Sequence, residues 1–143
     1  MKDIYLVTGA AGHLGNVIAN TLALSGEQVR ALLLDKDYAV SYLENTISRF
    51  VGDVLEPESL DSFFEHGEQE ELIVIHCAGI VSVASRPGAK LYQVNVGGTW
   101  RVLRQCMKRN VGRLIHVSSV HAIPEKPKGC IITEDCEFSP GLV

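Results

Sequence analysis

Short apolar runs alternate along the chain with segments in which apolar residues recur at helical spacing. Five runs have the length and the branched side chains that are typical of buried strands. They cover residues 4–7, 29–34, 47–51, 72–77 and 114–117. The first run is apolar on both faces, as expected for a strand that helices cover on both sides. This alternation predicts an α/β fold built on a parallel sheet.

Helical patterns occupy the segments between these runs. The apolar positions of the first helix are Leu14, Val17, Ile18 and Leu22, and Gly26 lies where its C-terminal stop is expected. A short helix is predicted over residues 38–43, and Pro57 begins another helix with three apolar residues on one face. A long helix is predicted over residues 88–109. The chain after Ser119 is predicted to be a loop with at most one short strand.

Composition and charge exclude several classes of function. The chain has 143 residues, 46% hydrophobic and 21% charged, which suits one globular domain over 1–143. The net charge of −4 and the scattered basic residues argue against a nucleic-acid partner. With no long apolar run and no leader segment, we expect a cytoplasmic protein without a membrane partner. The four cysteines show no metal-ligand spacing, so we expect reduced thiols and no metal.

A glycine-rich segment, residues 8–15 (TGAAGHLG), joins the first strand to the first helix. Gly9 permits the tight turn, Gly12 lets the backbone approach a pyrophosphate, and Gly15 lets the helix pack on the sheet. The helix N-terminus offers backbone N–H groups and a partial positive charge to the phosphates. The predicted cofactor-binding residues of this loop are Gly9, Ala11, Gly12, His13, Leu14 and Gly15. We therefore predict a dinucleotide site on a doubly wound Rossmann sheet with strand order 3-2-1-4-5.

The spacing Gly-x-x-Gly-x-x-Gly after a threonine resembles the extended branch of the short-chain dehydrogenase/reductase superfamily, over essentially the whole chain. The resemblance implies NAD or NADP as cofactor and a small-molecule substrate. It implies that Asp53 accepts from the adenine amino group and that the Val54 N–H addresses the ring, whereas the alternative is an Asp that caps the following turn. It also implies that Ala78 and Gly79 lie beneath the cofactor ribose. His76, inside the same apolar run, is interpreted as a structural histidine.

The choice between NAD and NADP depends on the end of the second strand. Asp35 lies about 20 positions after the glycines, where an acidic residue takes the ribose 2′-hydroxyl and favours NAD. In the nucleotide-sugar epimerases of the family the acidic position falls nearer Leu33. In flavonol-reductase-like members an NADP-selecting Arg falls on Leu34. No Arg stands there, so we favour NAD, although Lys36 could favour NADP.

Two further segments carry candidate catalytic residues. Ser118 and Ser119 in the segment VSSV resemble the family's catalytic serine strand, and Ser119, the better match, would polarise the substrate's reacting oxygen. Asn95 shares a predicted helix face with Leu91, Gly98, Val102 and Cys106, so its amide must find partners there. The resemblance implies that Asn95 supports the catalytic geometry. A structural asparagine bonded to a neighbouring strand is the alternative.

The Tyr-x-x-x-Lys pair of the resembling family is absent from these 143 residues. In that family the pair follows the serine, so we expect a truncated chain that lacks the substrate-binding part and is inactive alone. The intact protein is predicted to be an oxidoreductase or an epimerase/dehydratase, with dihydroflavonol-reductase-like or 3β-hydroxysteroid-dehydrogenase-like character. A non-catalytic NAD(P)-binding sensor is the alternative. The fifth strand would leave an unpaired sheet edge, which predicts a homo-oligomer or a longer parent chain.

Overall fold

The five predicted strands form one parallel sheet in the order β3-β2-β1-β4-β5. The strands are β1 (Lys2–Thr8), β2 (Gln28–Leu33), β3 (Ser48–Val51), β4 (Glu70–His76) and β5 (Arg113–His116). A computed structural model describes residues 2–37, 41–82, 88–119, 122–124 and 126–137. Both the predicted fold class and the predicted strand order are confirmed, and each predicted strand lies within two residues of its observed position at either end.

The connections between strands are mainly helical. Helix α1 spans His13–Leu24, and α2 (Ala89–Tyr92) continues through a π-helical segment, Gln93–Gly98, into α3 (Thr99–Lys108). The predicted long helix is therefore present, but one segment is more loosely wound than an α-helix, a feature that is frequent at functional sites. Within the described ranges, no helix is long and apolar enough to cross a bilayer.

One predicted helix lies partly outside the described residues, and another differs from the structure. Residues 38–40 of the helix predicted over 38–43 lie outside the described residues. The segment from Pro57 forms only one 3-10 turn, Pro57–Leu60, followed by turns. Both Phe63 and Phe64 are nevertheless buried, with their ring centroids 5.4 Å apart, and the Phe64 N–H donates to the Leu60 carbonyl oxygen at 3.1 Å. The predicted apolar face thus enters the core although the segment is not a continuous helix.

The sheet has a hydrophobic core on each face. On one face, Ile4, Leu6, Leu72 and Val74 of β1 and β4 pack with Phe63, Phe64 and Val102. On the other face, Val7, Ala31, Leu33 and Ile75 pack with Ala19 of α1. Alternate residues of each strand thus enter opposite cores, which explains why the strands are apolar on both faces.

Helix α1 buries only part of the face that its large apolar residues predicted. Leu14 is 48% exposed and Val17 53% exposed, whereas Gly15 and Ala19 are buried. The other two predicted residues are partly buried and pack against the core: Ile18 and Leu22. A Cβ at Gly15 would lie 2.3 Å from the carbonyl oxygen of Gly9, so the helix is too close to the loop for a larger residue. Small residues therefore make the contact. Gly26, with φ +89°, follows the helix as predicted.

Candidate functional site

The predicted site residues lie on segments that follow the carboxyl ends of the strands. The glycine loop follows β1, Asp35 follows β2, Asp53 follows β3, Ala78 and Gly79 follow β4, and Ser118 and Ser119 follow β5. Because all five strands are parallel, their carboxyl ends lie side by side at the same end of the sheet. The chain leaves β1 and β4 towards opposite sides of the sheet, and ligands of doubly wound folds bind in the crevice at such a point.

The glycine loop lies at this point of the sheet, against the end of β4. Gly9 has φ +67°, and a Cβ there would lie 2.8 Å from the backbone nitrogen of Ala78, so the loop and the end of β4 are in direct contact. The Gly12 N–H donates to the Gly9 carbonyl oxygen at 2.9 Å, which closes the turn. Gly12, His13 and Leu14 are exposed, and no acidic residue occupies the first turn of α1.

The N–H groups at the start of a helix have no intrahelical acceptor and favour an anion. The exposed start of α1, beside a turn that excludes side chains, therefore fits the pyrophosphate of a dinucleotide.

Asp35 and Lys36 form the exposed turn after β2. Asp37 closes this turn, because its carboxylate oxygen Oδ2 accepts from the Leu34 N–H at 2.8 Å and its own N–H donates to the Leu34 carbonyl oxygen at 3.1 Å. The turn leaves one acidic and one basic side chain exposed at the same place. The geometry is thus compatible with either dinucleotide, and the preference for NAD stays a prediction.

Asp53 makes the turn-capping contact that was the alternative to an adenine contact. Its Oδ1 accepts from the Leu55 N–H at 2.9 Å, and its backbone N–H donates to Ser59 Oγ at 3.0 Å. Val54 is buried against the end of the π-helical segment, because a Cβ at Gly98 would lie 2.7 Å from Val54 Cγ2. These contacts hold the loop in place, and recognition of adenine by Asp53 and Val54 stays a prediction.

Asn95 binds the segment that follows β4. Its Oδ1 accepts from the Ile80 N–H at 2.7 Å, and its Nδ2 donates to the Ile80 carbonyl oxygen at 2.9 Å. A Cβ at Gly79 would lie 3.4 Å from Asn95 Oδ1. The partially buried amide is thus satisfied by backbone, as the structural alternative expects. It holds the segment after β4 that lies beside the glycine loop, and a direct catalytic role stays a prediction.

Ser118 and Ser119 are exposed beyond the end of β5. The Val117 N–H donates to the His76 carbonyl oxygen at 3.0 Å, so pairing with β4 continues up to the first serine. The Ser119 carbonyl oxygen accepts from the Ala122 N–H at 3.0 Å, so the backbone of the second serine is also hydrogen-bonded. Both serines are therefore held at the end of β4, on the side away from β1.

A buried hydrogen-bond network beneath the crevice was not predicted. His76 is 1% exposed, and its Nδ1 lies 2.7 Å from Thr8 Oγ1 while its Nε2 lies 2.9 Å from Thr99 Oγ1. The prediction of a structural histidine is confirmed, since both ring nitrogens have partners. Burial, and then the nearby His116, lowers the pKa of His76 to about 4, so the ring is neutral near pH 7. The two threonine partners were missed.

A sequence signal for Thr8 does exist. It follows Ile4 and Leu6 at the two-residue spacing of one strand face, just as His76 follows Leu72 and Val74 on β4. Each strand thus ends its inward-facing series with a polar residue. Two polar residues at matching ends of adjacent buried strands indicate a hydrogen bond between them.

The metal-ligating side chains and the two buried thiols offer no competing site within the described part of the chain. Among the described residues there is no group of three metal-ligating side chains, and all four cysteines are free thiols. Burial raises the pKa of the Cys106 thiol to about 11 and also raises that of Cys77. Neither thiol is therefore a ready nucleophile.

Known proteins with similar sequences agree with this geometry. The family described as the NAD dependent epimerase/dehydratase family matches residues 5–141. Sterol demethylase protein B of Methylococcus capsulatus is 32% identical over 87% of this chain and 37% of its own length. The mouse 3 beta-hydroxysteroid dehydrogenase type 7 is 29% identical over 88% of this chain and 35% of its own length. The chain thus spans little more than a third of these relatives.

Solved structures give the same result. The UDP-glucose 4-epimerase of Thermus thermophilus in complex with NAD has a TM-score of 0.83 and 25% identity, over 96% of this chain and 44% of its own. A short-chain dehydrogenase/reductase superfamily protein of Agrobacterium tumefaciens with bound NAD has a TM-score of 0.77 and 26% identity, over 96% of this chain and 39% of its own. On the family match and the fold together, the chain belongs to the NAD-dependent epimerase/dehydratase family, within the extended short-chain dehydrogenase/reductase superfamily.

Proposed function

We propose that this chain is the dinucleotide-binding part of an NAD(P)-dependent oxidoreductase or epimerase/dehydratase that acts on a small molecule. The observation that carries the proposal is the close approach of the glycine loop to Cys77 and Ala78, where β1 and β4 end and the chain leaves them towards opposite sides of the sheet. There, a glycine with φ +67° allows direct backbone contact and the start of α1 is exposed. Two structural neighbours were solved with NAD, which supports the same class of ligand.

Each wall of the crevice has a proposed part in binding. The loop Gly9, Ala11, Gly12 with the N–H groups of His13, Leu14 and Gly15 holds the pyrophosphate. Ala78 and Gly79 leave room for the ribose next to the nicotinamide.

The two outer loops would hold the adenosine half. Asp53 and the Val54 N–H contact the adenine, and Asp35 accepts from the ribose 2′-hydroxyl. This last contact favours NAD, because an adjacent carboxylate repels a 2′-phosphate.

The proposed reaction moves a hydride between the nicotinamide, which supplies that chemistry when bound, and a carbon bearing a hydroxyl or carbonyl group. Ser119 would donate a hydrogen bond to the reacting oxygen and polarise it, with Ser118 beside it. Asn95 would act through its two bonds to Ile80, by holding the crevice wall.

A general acid or base is still needed for this reaction, and the chain holds no Tyr-x-x-x-Lys pair to provide it. We therefore expect no turnover from the 143 residues alone. That same observation favours a second candidate function, a non-catalytic NAD(P)-binding sensor. Translating the coding sequence past codon 143 separates the two: a Tyr-x-x-x-Lys pair shortly after it supports the enzyme, whereas a stop codon supports the sensor.

Titration calorimetry with ADP-ribose, NAD and NADP tests the binding proposal. We expect ADP-ribose to bind, because the adenosine and pyrophosphate contacts lie within this chain, and NAD to bind more tightly than NADP. The Ser119→Ala variant is the matched control, since it should leave ADP-ribose binding unchanged. A folded wild-type chain that shows no heat with millimolar ADP-ribose would overturn the assignment of the glycine loop.

A further inference from the structure

The buried network of Thr8, His76 and Thr99 has a defined hydrogen-bond direction. At one end, the Ala78 N–H can only donate, and it lies 3.2 Å from Thr8 Oγ1. At the other end, the Asn95 carbonyl oxygen can only accept, and it accepts from the Thr99 hydroxyl at 2.7 Å. Thr8 Oγ1 is then free to donate to Nδ1 of His76, and Nε2–H of His76 donates to Thr99. Every donor meets one acceptor when His76 is neutral and carries its proton on Nε2.

This network joins three elements that border the crevice. Thr8 is the last residue of β1 and precedes the glycine loop, His76 ends β4, and Thr99 begins α3. At the near end the network fixes the Ala78 N–H, in the segment that touches Gly9. At the far end it reaches the backbone of Asn95, whose side chain holds Ile80. Residues 78–80 are therefore held from both sides by one continuous set of bonds.

We propose that Thr8, His76 and Thr99 form a positioning unit that fixes residues 78–80 against the glycine loop and thereby sets the affinity for the dinucleotide. None of the three side chains needs to touch the ligand. Such a network acts as a whole, because a buried imidazole that loses one partner must reorganise or leave a polar atom unpaired. The unit rests on the proposed function only in the identity of its ligand.

The test removes the Thr99 hydroxyl, which is the link farthest from the glycine loop. Thr99→Val keeps the shape of the side chain but leaves Nε2–H of His76 without its acceptor. We expect ADP-ribose to bind about tenfold more weakly, the effect of losing about one buried hydrogen bond. Thr99→Ser restores the hydroxyl and should bind within about twofold of wild type, since the hydrogen bond and not the methyl group carries the effect.

Val74→Ala is the matched control for a general loss of stability. Val74 is buried on the same face of β4, two residues before His76, but it takes no part in the network. It should lower the melting temperature and leave the affinity of the folded chain unchanged. If Thr99→Val binds ADP-ribose as wild type does, or if Val74→Ala weakens binding as much as Thr99→Val, the positioning unit is refuted.

Amide hydrogen exchange gives a readout that needs no ligand. In Thr99→Val the exchange of the Ala78 and Ile80 amides should accelerate relative to the amides in the centre of β1 and β4. In Val74→Ala any acceleration should be shared by all of them. If the wild-type chain fails to bind ADP-ribose, the proposed function is wrong, and the exchange at Ala78 alone decides whether the network positions this segment. Unchanged exchange at Ala78 in Thr99→Val overturns the inference in every case.

Discussion

Replacing Gly9 by alanine should destabilise the fold strongly. Among the glycines of the loop, only Gly15 should tolerate an added methyl group as poorly. An alanine forced into the left-handed region at φ +67° costs about 1–2 kcal/mol. In addition, its Cβ would lie 2.8 Å from the backbone nitrogen of Ala78 and from the carbonyl carbon of Cys77. Backbone atoms cannot rotate away, so the end of β4 must shift, at a further cost of about 1–3 kcal/mol. The total of about 2–5 kcal/mol is a large part of a typical stability of about 5–15 kcal/mol.

Two other glycines serve as matched controls, because one carries the conformational cost alone and the other has neither the left-handed φ nor a contact as short as that at Gly9. Gly26 has φ +89° but nothing within 4 Å of its Cβ position, so Gly26→Ala carries the conformational cost without the clash. Gly12 has an ordinary φ of −78°, and the nearest atom to its Cβ position is the Gly9 carbonyl oxygen at 3.2 Å. Gly12→Ala should therefore have a free energy of unfolding close to that of wild type. It should lose affinity for ADP-ribose, because the new methyl group lies where the pyrophosphate approaches the loop.

Urea unfolding at equilibrium measures the free energy of unfolding of the three variants, and calorimetry measures the affinity of those that fold. The expected order of destabilisation is Gly9→Ala, then Gly26→Ala, then Gly12→Ala. If Gly9→Ala costs no more than Gly26→Ala, the close contact with Ala78 does not limit the fold. If Gly12→Ala binds ADP-ribose as wild type does, the pyrophosphate does not lie over this loop.

Three further predictions concern the network, the cofactor and the sheet edge. Because burial and His116 hold the pKa of His76 at about 4, below its ordinary 6.5, the unfolded chain binds a proton that the folded chain does not. The free energy of unfolding should thus fall by up to about 3 kcal/mol as the pH drops from 6.5 to about 4. Urea titrations at several pH values should show that this free energy depends less on pH in His76→Asn than in wild type. In calorimetry, Asp35→Asn should weaken the binding of NAD more than that of NADP, and Lys36→Ala should weaken the binding of NADP more. Equal losses of affinity would contradict the assignment of this turn to the ribose 2′-position. Ile115, which is 44% exposed on β5, can be replaced by lysine with little loss of stability, and sedimentation should show less self-association; an unchanged oligomer would place the contact elsewhere.

Local pattern was enough to predict the arrangement of the sheet. The strands were found because runs of apolar residues bury themselves in any α/β fold, and the helices because their apolar residues recur with a different period. The order of strands followed from the glycine motif between β1 and α1, since that motif places the first strand at the centre of a doubly wound sheet. Because the strands are parallel, the candidate residues that follow them lie together at the carboxyl ends of the strands.

Tertiary packing decided which residues within that frame touch each other. Helix α1 turned Gly15 and Ala19 inward, because Gly15 must pass within contact distance of the Gly9 carbonyl oxygen, and Leu14 and Val17 were left exposed. The amide of Asn95 found its partner in the backbone of Ile80, which no periodicity identifies.

The partners of His76 lie 68 and 23 residues away along the chain. Sequence periodicity shows that a side chain is buried. Only the register between strands and the position of α3 show which polar group meets it, because a hydrogen bond depends on distances that the whole fold sets.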